Sequence, residues 1–326
     1  MPDSSPDALF PEEVFDELRK LEKKALLARW RYPALLLIPL LWILGGVLIS
    51  FGSPGELEVG ILLAWFFLTL FGVSGYVFLV CPTTDEVQLK YATLVVPLLF
   101  ETKGLTANYY TAHDLKMAAV LKSGLMHEQY STMLREDSIV GKSLRMEFGM
   151  YQVAIQKASG FGSARYSGGT RVLTNQFFGW VIHCVIPSVR GTHVILPLRK
   201  TGDGESEDWI VNTVTAWKSN THAQRYSSGN TVFDQLFHVY TNDVKSLASF
   251  AAPEFLEFLR YLQSTATNSF AISISGNLFV MQIGISSLKF RLCPSDSFTQ
   301  KVHPDLMQEV VWYSDLFKGI ERVFYK

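Results

Sequence analysis

The sequence has few charged residues, few cysteines and no excess of basic over acidic residues. Charged residues make up 18% of its 326 positions and hydrophobic residues 48%, whereas an average soluble chain is about 25% charged. The formal net charge of -1 gives no sign of the clustered basic surface that binds phosphates, so we expect no nucleic-acid partner. The three cysteines contain no CxxC pair, which argues against a disulfide framework or a zinc ribbon: Cys81, Cys184 and Cys293.

Short catalytic motifs are also missing. The glycine-rich stretch Gly160–Gly169 lacks the dinucleotide fingerprint and the Gly-Lys-Ser/Thr of a P-loop, so it is predicted as a flexible hairpin tip. The chain has no Gly-x-Ser-x-Gly elbow and no HExxH spacing. The sequence therefore predicts no catalytic residue, no cofactor and no metal ligand, and it favours a protein that is not an enzyme. A metal site assembled from distant histidines stays open.

A few single residues still require an interpretation. His183 and Cys184 resemble a Cys-His pair, but neighbours on a strand point to opposite faces, so we expect no mutual activation and a core position for Cys184. Cys81 is predicted as a plain helix-end cysteine, although acylation next to a membrane stays open. Four acidic residues are predicted in a helix and a loop, on a solvated face: Asp114, Glu128, Glu136 and Asp137.

Two apolar runs dominate the N-terminal part. Pro33–Phe51 and Val59–Val80 contain no charged side chain, and each reaches the roughly 20 residues that cross a bilayer. They predict transmembrane helices over about 33–51 and 59–80, joined by a tight turn at 52–55, within a hairpin spanning 33–81. A buried core hairpin is the alternative. Small residues are predicted to allow close helix packing: Gly46, Ser50, Gly72 and Gly75.

Charge next to these runs predicts their orientation. Residues 1–32 are predicted as an amphipathic helix, whose apolar side includes Leu18, Leu21, Leu26 and Leu27 and whose polar side is basic. The connection between the runs carries Glu56 and Glu58 but no lysine or arginine, so the positive-inside rule places the N-terminus and residues 84–326 in the cytoplasm. The absence of ionisable residues inside the runs argues against a transporter.

Residues 84–326 show alternating helical and strand periodicity. Helices are predicted over 87–99, 112–122, 253–262 and after Pro304. Strands are predicted over 144–150, 176–187 and 192–200, and Phe270–Ile283 is predicted as a hairpin with a Ser-Gly-Asn turn. The pattern predicts an α+β cytosolic domain after the two-helix hairpin. Loops are predicted at 158–171 and 201–207.

Three segments of the C-terminal half resemble a known family. They are "VFDQLFHVYTND" (Val232–Asp243), "FAAPEFLEFLRYLQ" (Phe250–Gln263) and "FAISISGNLFVMQI" (Phe270–Ile283). Their order is similar to that of a bacterial two-span membrane family known as a domain of unknown function, DUF family 3137. The resemblance implies a multi-pass inner-membrane protein with a LemA-type membrane partner and no known chemistry. Phe233, Phe237 and Tyr240 are predicted as core anchors.

These observations leave three functional hypotheses. The leading one is an integral membrane protein that presents a cytosolic α+β domain as a scaffold or adaptor in a membrane complex. The second is a membrane-tethered enzyme or ligand sensor, whose site is formed by the loops at 158–171 and 201–228. The third is a subunit of an oligomeric pore, and a homo-oligomer is expected under that hypothesis.

Overall fold

A computed structural model of the protein describes residues 12–52, 57–80, 82–111, 125, 132–159, 172–197, 223–250, 252–266, 270–284 and 304–325. These residues form helices and a seven-stranded antiparallel sheet, so the predicted α+β class is confirmed. The chain divides into an N-terminal unit, residues 1–95 with 289–307, and a C-terminal unit, residues 96–288 with 308–326.

The helices and strands alternate only in part along the chain. The helices are α1 (Glu12–Gly52), α2 (Leu57–Val80), α3 (Thr84–Glu101), α4 (Thr231–Asp234), α5 (Val244–Phe250), α6 (Pro253–Thr265) and α7 (Pro304–Phe324). The strands are β1 (Thr106–Thr111), β2 (Thr132–Lys142), β3 (Glu147–Ser159), β4 (Val172–Pro197), β5 (Gln224–Tyr226), β6 (Phe237–Thr241) and β7 (Phe270–Gly284).

Helices α1 and α2 form a hairpin in the N-terminal unit. The indole N–H of Trp65 donates to the carbonyl of Leu41 at 3.1 Å, and the rings of Trp42 and Phe66 meet edge to face at 5.9 Å. A Cβ at Gly45 would lie 1.7 Å from Nε1 of Trp65, so only glycine permits this approach. Since only residues 53–56 separate the helices, they run antiparallel.

Two predictions about the hairpin, its packing glycines and the apolar side of its first helix, differ from the structure. Among the described residues, a Cβ at Gly72 or Gly75 would meet no atom within 4 Å, so these glycines make no close packing contact there, whereas Gly45 does. The predicted apolar side of the first helix is also partly wrong, because Leu26 and Leu27 are exposed. The buried positions follow the helical repeat more closely: Leu18, Leu21, Ala25 and Ala28.

Helix α1 continues through two prolines. Pro33 and Pro39 both lie inside its 41 residues. Each proline lacks an N–H, so the carbonyls of Arg29 and Leu35 lose their usual donors four residues on. The amphipathic segment and the first apolar run, which were predicted as separate elements, are therefore one helix.

Strand β4 is the centre of the sheet in the C-terminal unit. One of its edges pairs with β7 over residues 179–195. Its other edge pairs first with β3, over 172–184, and then with β6, over 193–197. Strands β1 and β2 extend the sheet beyond β3, and β5 extends it beyond β6. One 26-residue strand thus connects both halves of the sheet.

The predicted hairpin at Phe270–Ile283 is wrong, because β7 is one strand that stays paired with β4 on both sides of Gly276. Gly276 has a φ of +58°, which bends the strand without ending it. Strand β4 follows the bend with a bulge, since it uses more residues than β7 between the pairs Val185–Leu278 and Thr192–Ser275. The strand predicted at 176–187 and residues 192–197 of the strand predicted at 192–200 are for the same reason parts of β4, and residues 198–200 lie outside the described residues.

Aromatic rings fill the space between the sheet and the helices of the C-terminal unit. The Phe148 ring stacks on Phe317 of α7 at 4.0 Å and on Phe100 of α3 at 6.2 Å. Phe324 of α7 contacts Phe255 of α6 and Phe279 of β7. We call this side of the sheet the helical face. The opposite face carries a second buried cluster that includes Tyr151, Val153, Phe177, Val181 and Val194.

The remaining elements agree with the sequence to different degrees. Helices α3, α6 and α7 are confirmed. Phe233 and Phe237 are buried and stack at 5.0 Å, as expected of core anchors, whereas Tyr240, the third predicted anchor, is only partly buried. The strand predicted from Leu144 begins only at Glu147, and Leu144 is 86% exposed in the preceding turn. Strand β1 was not predicted, and the helix predicted at 112–122 lies outside the described residues.

Candidate functional site

The two loops that were predicted to form a site lie mostly outside the described residues. Of 158–171 and 201–228, only 158–159 and 223–228 are described. The same holds for several single candidates, which lie outside the described residues: Cys81, Cys293, His113, His127, His222, His303, Asp114 and Glu128.

His183 and Cys184 lie on opposite faces of β4, as predicted. The His183 ring stacks on Tyr151 at 5.4 Å, and Gly149 provides the space, since a Cβ there would lie 2.5 Å from Cε1 of His183. Cys184 is fully buried, and burial raises the pKa of its thiol well above the usual value. A thiol that stays protonated is a poor nucleophile, so Cys184 has a packing role.

The acidic residues Glu136 and Asp137 lie in strand β2, and the predicted solvated loop is wrong at this point. The β2–β3 register shifts between Arg135 and Ser138, so the two acidic residues oppose the single residue Gln152. Asp137 is 3% exposed. A bulge of this kind re-aims side chains, and here it turns a carboxylate inward.

Two buried glutamines lack hydrogen bonds. Within the described residues, both amide atoms of Gln152 and both of Gln282 have no partner, and neither side chain is more than 1% exposed. Gln152 pairs in register with Trp180, whereas Gln282 pairs with Val181, so the two amides lie on opposite faces of the sheet. Each unpaired buried amide opposes folding by about 1–3 kcal/mol.

His193 is a buried histidine with both ring nitrogens bonded. Its Nε2 lies 2.9 Å from the carbonyl of Arg190, which only accepts, so Nε2 carries the proton. Its Nδ1 therefore accepts from the Thr241 hydroxyl at 2.7 Å, and that hydroxyl also accepts from the N–H of Asp243 at 2.9 Å. Burial lowers the pKa of His193 against the opposing effects of the Arg190 carbonyl and Asp243. The network connects the β4 bend to the end of β6.

A groove between α6 and α7 is the first surface with the features of a binding site. Its volume is about 470 Å³. The Phe258 ring lies over Gly319, where a Cβ would approach it to 2.4 Å, so the glycine lets the two helices meet at the groove floor. The Tyr261 hydroxyl donates to Asp315 across the helices at 3.1 Å. Charged residues of both signs form the rims: Glu254, Glu257, Asp315, Lys318 and Arg322.

The second such surface is the outside of the α1–α2 hairpin. Its exposed side chains are large and apolar: Leu37, Leu40, Trp42, Ile43, Leu44, Val47, Ile61, Leu63, Phe67, Leu68 and Phe71. Among the residues that the structure describes, no helix has both the length and the hydropathy of a membrane-crossing segment.

Chemistry on a metal ion finds no support in the described part of the chain. No group of three histidine, cysteine, aspartate or glutamate side chains there is arranged to hold a metal ion.

The groove between α6 and α7 was not predicted from the sequence, because its residues come from two helices far apart in the chain. The only available signals were the helical spacing of Glu254, Glu257 and Tyr261 and that of Asp315, Lys318 and Arg322.

Comparison with known proteins gives little. No protein-family model and no curated protein matches the sequence. The crystal structure of the mycobacterial trehalose monomycolate transport factor A, TtfA, matches with 9% sequence identity and a TM-score of 0.33. The match covers 73% of this chain and 96% of that chain. At this TM-score the likeness carries no argument about fold or function.

The lowered pKa of His193 predicts a pH dependence of stability. When the pH falls below about 6.5, the unfolded chain takes up a proton that the folded chain does not, so stability is complete above that pH and decreases below it. We expect a slope of at most about 1.4 kcal/mol per pH unit, measured by urea unfolding between pH 5 and 7.5. His193→Gln should remove this slope. NMR of the wild-type imidazole provides a test independent of the variant, and a ring that protonates above pH 6.5 would contradict the assignment.

Gln152 predicts an unusual gain in stability. Gln152→Met keeps the length of the side chain and removes the unpaired amide, so we expect stabilisation by about 1–3 kcal/mol in urea unfolding. Gln235→Met, at an exposed position, is the matched control and should change stability by less than about 0.5 kcal/mol. Destabilisation of the Gln152→Met variant would show that the amide has a partner, such as an internal water.

Proposed function

We propose that the protein is an integral membrane protein of the bacterial inner membrane, and that its C-terminal unit acts in the cytoplasm as a scaffold or adaptor in a membrane complex. The observation that carries the proposal is the apolar surface of the α1–α2 hairpin. The proposal concerns each unit by itself, the hairpin as an anchor and the C-terminal unit as a binding module.

The exposed side chains favour a hydrocarbon environment. Leu68 is 64% exposed and Phe71 is 67% exposed, and comparable leucine and tryptophan side chains lie along α1. Each Å² of apolar surface left in water costs about 25 cal/mol relative to burial. Soluble monomers rarely expose apolar patches larger than a few hundred Å². A bilayer removes this cost for both helices at once.

The lengths of the helices are compatible with a bilayer. The 24 residues of α2 rise about 1.5 Å each, which gives roughly 36 Å against a hydrocarbon core of about 30 Å. The sequence from Val59 to Val80 carries no charge. Prolines inside α1 are tolerated in membrane helices, where neighbouring groups satisfy the freed carbonyls.

The direction of insertion follows from charge. Residues 12–31 of α1 include six basic side chains before the apolar run: Arg19, Lys20, Lys23, Lys24, Arg29 and Arg31. The connection at 53–56 and the first turn of α2 carry only acidic charge, from Glu56 and Glu58. The positive-inside rule then leaves the N-terminus in the cytoplasm, and two crossings return the chain to that side.

The adaptor role rests on the groove between α6 and α7. Its apolar floor, Phe258 and Val323, lies between rims that carry both signs of charge. Such a surface suits a polypeptide segment, because the floor accepts an apolar side chain while the rims select the charges beside it. A LemA-type membrane protein is the partner that the family resemblance implies, and a second copy of the chain is the other protein candidate.

Thiol accessibility tests the proposed topology. We expect Ser53→Cys to react with a membrane-impermeant maleimide on intact cells and Ser206→Cys to react only after permeabilisation, with the unmodified chain as control for the native cysteines. Reaction at Ser206→Cys alone on intact cells would reverse the orientation. Reaction at both positions only after permeabilisation would show that the hairpin does not cross, and would reject the transmembrane proposal.

Site-specific crosslinking tests the groove. A photoreactive amino acid at Lys318 is expected to give a discrete adduct in cells, and the same group at Gln224, on the exposed edge strand β5, is the control. Adding Glu257→Lys with Arg322→Glu reverses a charge on each rim and should reduce the Lys318 adduct at least tenfold. Equal adducts from both positions, or an adduct that the charge reversal does not change, would contradict a partner site in this groove.

A further inference from the structure

We propose that a second groove in the C-terminal unit binds the headgroup of an anionic phospholipid through Arg190 and Lys245. This bend groove lies at the bulged part of β4, beside the start of α5 and the end of α7, and its volume is about 510 Å³. The inference rests on the proposed membrane association and adds a ligand to the C-terminal unit that the adaptor role does not require.

The backbone around the groove is held in place. The carbonyl of Arg190 accepts from the buried ring of His193, and the N–H of Thr192 donates to Oδ1 of Asn242 at 2.8 Å. Gly191, between them, has a φ of +74°, and a Cβ there would lie 2.6 Å from the same Asn242 oxygen. The bend of β4 is therefore held by contacts with Asn242, in the turn that follows β6. That contact brings Arg190 and Lys245 to one groove from positions far apart in the sequence.

The two cations of the groove are available for an anion. Within the described residues, neither the Arg190 guanidinium nor the Lys245 ammonium pairs with a carboxylate. Asp243 is the acidic residue of the groove, and its Oδ1 already accepts from the N–H of Ser246 at 2.9 Å. The bend groove thus has an excess of positive charge, whereas the rims of the α6–α7 groove carry three carboxylates against two cations.

The apolar wall of the groove selects the kind of anion. Pro187, Val189, Val323 and Phe324 line it beside the two cations. Phe324 is also held from behind by the rings of Phe255 and Phe279. The planar guanidinium of an arginine can donate two parallel hydrogen bonds to phosphate oxygens, and a lysine adds a positive point charge. An inorganic ion would make no favourable contact with the apolar wall. A phosphate linked to a glycerol and acyl chains satisfies both parts of the groove.

Calorimetric titration of the whole chain in a non-ionic detergent tests this inference. The probes are dihexanoyl phosphatidylglycerol, dihexanoyl phosphatidylcholine and sodium phosphate, with both lipids below their micellar concentrations. We expect phosphatidylglycerol to bind at least tenfold more tightly than either of the others. Arg190→Gln with Lys245→Gln should weaken that binding at least tenfold, because the pair supplies the charge. Lys103→Gln with Arg225→Gln removes the same charge outside both grooves and should leave the affinity unchanged.

Each other outcome rejects the inference. Equal binding of the two lipids would show that the groove does not read net negative charge, and equally tight binding of sodium phosphate would make the ligand a free anion. An equal loss in both double variants would reduce the effect to overall charge. Circular dichroism melting of the variants separates lost binding from lost folding. Failure to bind phosphatidylglycerol leaves the labelling at position 53 unaffected, so the inference and the proposed topology fail separately.

Discussion

Pairing along the whole length of β4 is the constraint on which the C-terminal unit depends. One edge of this strand pairs with β7, and the other pairs with β3 and then with β6, so distant parts of the chain meet on one strand. A flat strand of 26 residues would extend far beyond one layer of helices. The bend at Gly191 and Gly276 keeps both strands paired while they turn. The bend groove and the His193 network both exist because of that turn.

The sequence predicted most of what local periodicity decides. Helices α3, α6 and α7 follow from apolar residues at helical spacing, and Pro253 and Pro304 mark two of their starts. Prediction from the sequence failed where pairing with a distant strand determines the local structure. Ser-Gly-Asn at 275–277 is a local turn signal, but pairing with β4 on both sides of Gly276 outweighs it. Asp137 was predicted to be exposed because it is acidic, but the register between β2 and β3 buries its side chain.

The candidate sites were less predictable than the fold because each one is assembled from separate elements. The α6–α7 groove requires Gly319 to receive the Phe258 ring, and no spacing in the sequence indicates that contact. The bend groove requires a glycine with positive φ at the bend of β4, so that Arg190 and Lys245 line the same groove. The sequence did exclude a paired role for His183 and Cys184, because strand alternation is a local rule. Residues 160–171 and 198–222, which include most of the predicted loop site, lie outside the described residues.

The α1–α2 hairpin and the C-terminal unit differ in where their apolar side chains lie. In the C-terminal unit, phenylalanine rings are buried, and a buried histidine has both ring nitrogens bonded. In the α1–α2 hairpin, leucine and phenylalanine side chains point outward, while the Trp65 indole N–H and the Thr69 hydroxyl bond to backbone carbonyls of the hairpin itself. Polar groups that are satisfied within a hairpin need no water around them. That contrast in exposed apolar surface is the physical argument behind the proposal that the hairpin, and not the C-terminal unit, lies in a bilayer.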